Sequence, residues 1–118
     1  MDSKDLLKLH DTTCIECKAI MVSKNSDYTG GKNSKDPFAN FKCSLVLGVH
    51  PVKGLLMRML DKIQRVNSFC NDDELQVPGE SVDDAFNDLV NYAILGKAIL
   101  QEEREAKTID TKDISYPI

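Results

Sequence analysis

Apolar residues recur three and four positions apart along most of this chain, and this spacing restricts its fold more than any other feature. The spacing covers three segments, at about residues 4–23, 51–70 and 81–106. The length of 118 residues suits one domain with its own core. The sequence therefore predicts an all-α fold: a helical bundle of three main helices plus a long ordered loop, completed by dimer or tetramer packing. We expect one domain over residues 1–106 and a C-terminal tail over residues 107–118.

Each predicted helix has an apolar stripe that we expect to face the core. The stripe of the first helix comprises Leu6, Leu9, His10, Thr13, Cys17, Ile20 and Met21. In the second helix it comprises Val52, Leu55, Leu56, Met59, Leu60, Ile63, Val66 and Cys70, and the other side carries Arg58, Asp61, Lys62 and Arg65. In the third helix it comprises Val82, Phe86, Leu89, Ala93 and Leu100, and the opposite side carries Asp84, Asp88, Asn91 and Leu95. Ser81 and Asp84 predict a capping box at the start of the third helix.

Charge is unevenly distributed along the chain. The formal net charge is −4; residues 1–59 hold nine Lys and Arg against six Asp and Glu, whereas residues 60–118 hold six against thirteen. An acidic chain without a dense basic stripe is a poor general binder of nucleic acid, so we expect no nucleic-acid partner. A basic half that faces an acidic half suits a small phosphorylated ligand together with a divalent metal.

No targeting or membrane segment is predicted. No apolar run approaches the roughly 18 residues of a membrane span, and the start, MDSKDLLKLH, lacks the apolar core of a signal peptide. We therefore expect a cytoplasmic protein without membrane contact, whose four cysteines are reduced thiols.

Two of the cysteines, Cys14 and Cys17, form a CxxC pair, and His10 lies one helical turn before Cys14. This pattern has two interpretations, a zinc site and packing in the core. No second CxxC or HxxxH follows, and cysteine is among the most buried residue types. Core packing, with His10 buried as well, is therefore favoured over metal binding.

Residues 24–49 form the predicted long loop, because a glycine pair, Asp-Pro, Asn and Ser dominate its composition. The loop also holds three of the seven aromatic residues of the chain, Tyr28, Phe38 and Phe41, with lysines between them. Loops of this length are functional lids or disordered segments, and the aromatic content favours a functional lid. For residues 41–49 a short strand or a helical turn is the alternative.

Asp84 and Asp88 lie one helical turn apart and point the same way. Like charges at this spacing repel each other by about 0.2–0.5 kcal/mol, and a hard divalent cation such as magnesium would reverse that cost. Glu16 would supply a third oxygen ligand and Asp61 a fourth. The alternative is a solvated face, because the helix dipole by itself favours an acid such as Asp84 in the first turn. Asn91 extends the row with an amide that can bind a base or ribose edge.

Four strings in order, KNSDYTGG, PFANF, RMLDKIQR and GESVDDAFNDLVNYAIL, resemble the phage and bacterial nucleotide-modification-associated domain. That domain is related to the MazG-like all-α nucleoside-triphosphate pyrophosphohydrolases, and the resemblance spans about residues 10–100. It implies a helical bundle assembled as a dimer or tetramer. It also implies magnesium-dependent cleavage of a nucleoside triphosphate to monophosphate and pyrophosphate. MazG-like enzymes carry EExxE on the middle helix, whereas this chain has MRMLDK there, with a single acid.

The resemblance also implies roles for individual residues. Glu16, Asp84 and Asp88 would hold magnesium, or manganese in its place, and Asp61 would complete the catalytic acids. The implied substrate-binding residues are Lys24, Asn25, Asp27, Tyr28, Asn40, Phe41, Arg58, Lys62 and Arg65, with Asn91 from the third helix. Because the acids are fewer than in MazG-like enzymes, a second function stays open, that of a phage protein that sequesters a host signalling nucleotide in the host cytoplasm without cleaving it. A purely structural helical dimer is the third alternative.

Overall fold

The structure, a computed structural model, describes residues 1–29, 35–72 and 81–113. It confirms the all-α prediction, and the described ranges contain no strand. Helix α1 spans Ser3–Tyr28, α2 spans Ala39–Lys42, a 3₁₀ helix spans Cys43–Leu47, α3 spans Pro51–Asp72 and α4 spans Val82–Asp113. The largest packing contact joins α3 to α4, α1 also packs on α4, and the short α2 contacts both α1 and α3.

Both long terminal helices extend further than predicted. A capping box starts α1, in which Asp2 Oδ1 accepts from the Asp5 N–H at 2.8 Å and Asp5 Oδ2 accepts from the Asp2 N–H at 3.2 Å. The helix continues to Tyr28, past the predicted end near residue 23, because the Tyr28 ring is buried in the core. Helix α4 continues to Asp113, so part of the predicted tail over residues 107–118 is helical. The last five residues of that tail lie outside the described ranges.

The predicted loop over residues 24–49 is shorter than expected, because α1 includes its first five residues. For residues 41–49 the helical-turn alternative is correct and the strand alternative is wrong, since α2 and the 3₁₀ helix occupy most of them. Gly48 ends the 3₁₀ helix with a φ of 71°, in the left-handed region that favours glycine. The glycine pair at residues 30 and 31 of the predicted loop lies outside the described ranges, and so do Pro78 and Gly79, which precede the third predicted helix.

The core lies where α3 and α4 meet the end of α1 and the short α2. Its buried members are Tyr28, Phe38, Phe41, Leu55, Leu95 and Ile99. Leu55 is 1% exposed and approaches Gly96, where a Cβ atom would lie 3.9 Å from Leu55 Cδ1. A methyl group at Gly96 would therefore fit between α3 and α4 in ordinary van der Waals contact with Leu55. Burying a leucine in this way contributes about 1.5–3 kcal/mol, as an upper value relative to an extended unfolded chain.

Helix α3 is oriented differently from the prediction. Of its apolar stripe, Val52 and Leu55 contact the core, but Leu56, Leu60 and Ile63 are 51%, 57% and 49% exposed. The side predicted to face solvent turns inward in part, since the Lys62 side chain is only 14% exposed. The physical reason is that Lys62 forms an ion pair with Asp88 of α4, which holds the polar side of α3 against its neighbours.

Helix α4 is also turned relative to the prediction. Phe86 and Leu100, predicted as core, are 52% and 39% exposed, and Ala93 is exposed. The opposite row points into the bundle: Asn91 and Leu95 are 2% and 4% exposed. Two small residues lie on this inner side of α4: Ala85 is fully buried, and Gly96 packs beside Leu55.

The N-terminal half of α1 extends beyond the rest of the bundle. Cys17 is buried as predicted, but Leu6 and Leu9 are 56% and 49% exposed, since few described residues reach this half of the helix. His10 is exposed, so its predicted burial is wrong. Among the described residues no single helix is long and apolar enough to cross a membrane. The segments Ala39–Leu47 and Pro51–Asn71 reach the required length and composition only together, across a bend of 104°.

Candidate functional site

Two lysines from different helices meet one carboxylate where α1, α3 and α4 come together. Lys24 Nζ of α1 lies 3.5 Å from Asp88 Oδ1, and Lys62 Nζ of α3 lies 3.0 Å from Asp88 Oδ2. Asp88 and Lys62 are largely shielded, with side chains 16% and 14% exposed, whereas the Lys24 side chain is 44% exposed. Each carboxylate oxygen therefore has its own ammonium partner, and one of the two cations can be reached from solvent.

Aromatic residues and a third cation lie beside this cluster. The Tyr28 and Phe41 rings pack with their centroids 5.0 Å apart, and the Arg58 guanidinium carbon lies 4.9 Å from the Phe41 centroid. Burial, followed by Tyr92 and Asp88, raises the pKa of the Tyr28 phenol above its usual value, and Arg58 opposes this shift. Tyr28 thus stays neutral and lies within electrostatic range of both Asp88 and Arg58.

Asp84 lies one turn before Asp88 and has a structural partner of its own. Its Oδ2 accepts from the Ser81 N–H at 3.1 Å, and the Ser81 hydroxyl oxygen accepts from the Asp84 N–H at 3.0 Å. The predicted capping box is therefore confirmed. The hydrogen bonds with Ser81 hold the pKa of the exposed Asp84 carboxyl below its usual value, and Lys24 and Lys62 act in the same direction. Lys24 and Lys62 thus act on the carboxyl groups of both Asp84 and Asp88.

Asn91 joins α4 to α1 on the inner side of the cluster. Its Nδ2 donates to the Cys17 carbonyl at 2.9 Å, and its Oδ1 is buried without a hydrogen-bond partner among the described residues. The Cys17 thiol in turn donates to the Asn87 carbonyl and side-chain oxygens at 3.7 and 3.6 Å. Burial raises the pKa of this thiol, so it stays protonated and unreactive. The sequence did not indicate Asn87, because a single asparagine on a helix carries no pattern that predicts an interhelical bond.

The structure brings some of the predicted residues together and leaves others apart. Lys24, Lys62 and Asp88 are in contact, and Tyr28, Phe41 and Arg58 form the adjoining group. Asp61 is exposed and pairs at 3.0 Å with Arg65 of its own helix. Asn25, Asp27 and Glu16 are exposed on α1, and Asn40 is half-buried on α2. Glu16 acts on the neighbouring Cys17, whose pKa is raised first by burial and then by Cys14, Glu16 and Asp88.

The predicted metal ligands lie in separate surroundings. Within residues 1–29, 35–72 and 81–113, no three or more His, Cys, Asp or Glu residues form a group that could hold a metal ion. Glu16, Asp84 and Asp88 are therefore not gathered on one point, and the Asp88 oxygens already face lysines. As the side chains stand, this donor set does not fit magnesium, and magnesium stays a prediction. His10, Cys14 and Cys17 form no such group either, although an exposed contact of 3.7 Å joins Cys14 Sγ to His10 Nδ1. The core packing favoured for these residues holds for Cys17 alone, because Cys14 and His10 are exposed.

The similarity of this chain to a known family lies in α3 and α4, the two helices that carry most of this cluster. No curated protein matches the chain, and no solved structure matches it. The family model described as nucleotide modification associated domain 1 matches residues 52–101, somewhat less than half of the chain. The matched segment includes Arg58, Lys62, Asp84, Asp88 and Asn91. The predicted resemblance to the nucleotide-modification-associated domain is thus supported for α3 and the first two thirds of α4, and this is the family to which the segment is similar.

Proposed function

We propose that the protein binds a nucleotide through its phosphates at the junction of α1, α3 and α4. The observation that carries the proposal is the convergence of Lys24 and Lys62, from two helices, on the largely shielded Asp88. Two ammonium groups with a spacing that suits one carboxylate also suit the oxygens of a phosphate. The similarity of residues 52–101 to nucleotide modification associated domain 1 supports a nucleotide as the ligand class.

A third cation lies beside this junction. Arg58 and Asp88 both act on the pKa of Tyr28, so the Arg58 guanidinium lies within electrostatic range of the cluster. Arg58 stacks on the Phe41 ring instead of pairing with a described carboxylate, so its guanidinium is available to a phosphate. The second and third phosphates of a nucleoside triphosphate would extend toward Arg58.

In this proposal the nucleotide base does not stack on the two central aromatic rings. The Tyr28 and Phe41 rings are 7% and 4% exposed and pack on each other, so their faces serve the core. Asn91 Oδ1 has no hydrogen-bond partner among the described residues, but Asn91 is itself 2% exposed, so we infer that a base or ribose meets this oxygen only when the packing of α1 on α4 opens locally. An acceptor of this kind would pair with an exocyclic amine of a base or with a ribose hydroxyl.

Sequestration of the nucleotide agrees better with this geometry than cleavage does. Cleavage by the predicted magnesium-dependent pyrophosphohydrolase needs Glu16, Asp84 and Asp88 around one ion, whereas Asp84 caps α4 and Asp88 faces two lysines. Pyrophosphohydrolase activity is the second candidate. Asp84 and Asp88 lie on one side of α4; Lys24 and Lys62 form ion pairs with Asp88 and lower the pKa of Asp84. Phosphates that attract these lysines would release the Asp88 carboxylate.

The test is calorimetric binding of a panel of ribo- and deoxyribonucleoside triphosphates, first with a chelator and then with magnesium, followed by chromatography of the products. We expect binding with the chelator present, weakened about tenfold in Lys62→Gln through loss of one charge contact to phosphate. Lys53→Gln is the matched control, because Lys53 lies exposed on the outer side of the same helix.

The outcomes separate the alternatives. Binding without product formation supports sequestration, and magnesium-dependent release of monophosphate and pyrophosphate supports the hydrolase. Absence of binding by every nucleotide, or equal affinity in Lys62→Gln and the unchanged protein, contradicts a phosphate site at this junction.

A further inference from the structure

Polar contacts hold the middle of α1 against α4. Asn91 Nδ2 donates to the Cys17 carbonyl at 2.9 Å, and the Cys17 thiol donates to two Asn87 oxygens at 3.6 and 3.7 Å. Lys24 Nζ lies 3.5 Å from Asp88 Oδ1, and the Lys24 side chain is 44% exposed. A thiol is a weak donor, and a long ion pair with an exposed partner adds little to stability. This part of α1 can therefore separate from α4 more easily than α3 can, because α3 packs on α4 through the apolar core.

The two ends of α1 differ in how firmly they are held. Tyr28 at the C-terminal end belongs to the core, and Met21 packs against the same core. At the other end Leu6 is 56% exposed, and an apolar groove of about 440 Å³ lies between this half of α1 and Val90 of α4. Cys17 lies about 16 Å along the helix from Tyr28, so a tilt of about 10° about Tyr28 moves Cys17 by about 3 Å. A movement of this size is enough to break the hydrogen bonds of Cys17 with α4.

The buried amide of Asn91 identifies what such a movement would uncover. Asn91 is 2% exposed, and its Oδ1 has no hydrogen-bond partner among the described residues. A buried acceptor without a donor makes the closed arrangement less stable than a fully satisfied one. Separation of Cys17 from Asn91 would expose both the Oδ1 acceptor and the Nδ2 donor of the amide. The packing of α1 on α4 thus covers a polar group that a ligand can satisfy better than α1 does.

We propose that α1 is a lid over the nucleotide site, which opens by tilting about Tyr28 and admits the nucleotide between α1 and α4. This inference rests on the proposed function, because the lid covers the same phosphate site. Lys24 moves with the lid, whereas Lys62 stays on α3. When the lid opens, Lys24 leaves Asp88, and a phosphate that enters beside Lys62 becomes the new partner of Lys24. The bound nucleotide thereby holds α1 in a position different from that of the ligand-free protein.

The experiment locks the lid shut with a disulfide. Cys17 Sγ lies 3.6 Å from Asn87 Oδ1, so Asn87→Cys places a second thiol within reach of Cys17. Serine replaces the three exposed cysteines, Cys14, Cys43 and Cys70. Calorimetry with the panel of nucleoside triphosphates then compares the oxidised and the reduced form of this chain. We expect oxidation to weaken binding by about tenfold or more, and a reducing agent to restore it. The matched control is Asn87→Ser in the same background, whose affinity should not respond to oxidation.

The outcomes separate the lid from the phosphate site. Equal affinity of the oxidised and reduced forms, with the disulfide verified by mass, overturns the lid even if nucleotide binds. Failure of the disulfide to form also overturns it, because the closed position of α1 requires Cys17 to lie beside residue 87. Absence of binding by the unchanged protein contradicts the phosphate site itself, and the lid is then decided by a measurement that needs no nucleotide.

That measurement is hydrogen exchange of the ligand-free chain, followed by mass spectrometry. We expect the amides of α1 over residues 10–20 to exchange about tenfold faster or more than those around Leu55 of α3 and Ile99 of α4, which lie in the core. The disulfide between Cys17 and Asn87→Cys should slow exchange over residues 10–20 and leave α3 unchanged. Equal protection of α1 and the core segments, or exchange in α1 that the disulfide does not slow, overturns the lid.

Discussion

The Lys62 ammonium lies 3.0 Å from Asp88 Oδ2, with both side chains more than four-fifths buried, and thereby joins the middle helix to the last one. Lys24 approaches the other oxygen of the same carboxylate. An anionic ligand would have to compete with Asp88 for both lysines. The pair therefore suggests that Asp88 occupies the position that a phosphate would take.

This competition leads to a prediction for Asp88→Asn. Removing one negative charge next to a phosphate should strengthen metal-free binding of a nucleoside triphosphate by about tenfold, equivalent to about 1.4 kcal/mol. Calorimetry in the presence of a chelator measures the change. Under the hydrolase alternative, magnesium-dependent product release would instead disappear in the same variant.

The matched variant for that experiment is Asp61→Asn, because Asp61 is exposed and pairs only with Arg65 among the described residues. Its metal-free affinity should equal that of the unchanged protein. An Asp88→Asn protein that folds normally but binds no more tightly would show that Asp88 does not compete with phosphate, even if the unchanged protein binds nucleotide.

The packing of α3 on α4 predicts a large effect for Leu55→Ala. Leu55 is 1% exposed in the core, so its truncation leaves a cavity and should lower the free energy of unfolding by about 2–5 kcal/mol. Urea denaturation followed by circular dichroism measures this loss. The control is Leu47→Ala, at an 83% exposed position, which should change stability by less than about 0.5 kcal/mol. Similar losses in the two variants would contradict the position of Leu55 in the core.

Two glycines should respond to alanine in opposite directions. Gly96 lies within α4, and an added Cβ would be 3.9 Å from Leu55 Cδ1, an ordinary contact. Gly96→Ala should therefore raise the free energy of unfolding by about 0.5–1 kcal/mol through helix propensity. Gly48 has a φ of 71°, so Gly48→Ala should lower it by about 1–2 kcal/mol. Thermal denaturation of the two variants tests both signs, and a loss of stability in Gly96→Ala would show that α4 packs more tightly there.

The Asp36–Lys42 pair predicts a pH dependence of stability. Lys42 Nζ lies 2.7 Å from Asp36 Oδ2, and the Phe38 N–H donates to Asp36 Oδ1 at 2.9 Å. The hydrogen bond from Lys42, followed by that from Phe38, lowers the pKa of Asp36 from its usual 3.8. A lowered folded-state pKa stabilises the protein above the unfolded-state value, and this stabilisation is lost as the pH falls through the folded-state value.

Asp36→Ala should accordingly be less stable than the unchanged protein at pH 6, by less than about 1 kcal/mol because the pair is partly exposed to solvent. The difference should shrink below pH 3.8, which denaturation at a series of pH values measures. Asp36→Asn serves as the control, because its amide oxygen can still accept from the Phe38 N–H while the ion pair is lost. A difference that stays constant down to pH 2 would contradict the coupling.

Much of the secondary structure follows from local sequence. The helical period of α1, α3 and α4, the Ser81–Asp84 capping box and the proline at the start of α3 all act over one or two turns. The predicted start of α3 at Pro51 is therefore correct, and the start of α4 lies within one residue of the prediction. The end of α1 differs from the prediction, because it depends on the burial of Tyr28 against Phe41, a residue outside the helix.

The direction in which each helix faces was decided by tertiary structure. Periodicity locates an apolar stripe on a helix, but it does not say whether that stripe meets the same chain, a second chain or solvent. Leu55 and Leu56 belong to one predicted stripe, yet Leu55 is buried and Leu56 is half-exposed. The side of α3 that faces α4 is the one on which Leu55 packs beside Gly96 and Lys62 pairs with Asp88. The sequence by itself determined that the chain is helical and which residues are candidates for the site. Only packing brought Lys24, Lys62 and Asp88 together, since their convergence depends on distances between helices that no local pattern encodes.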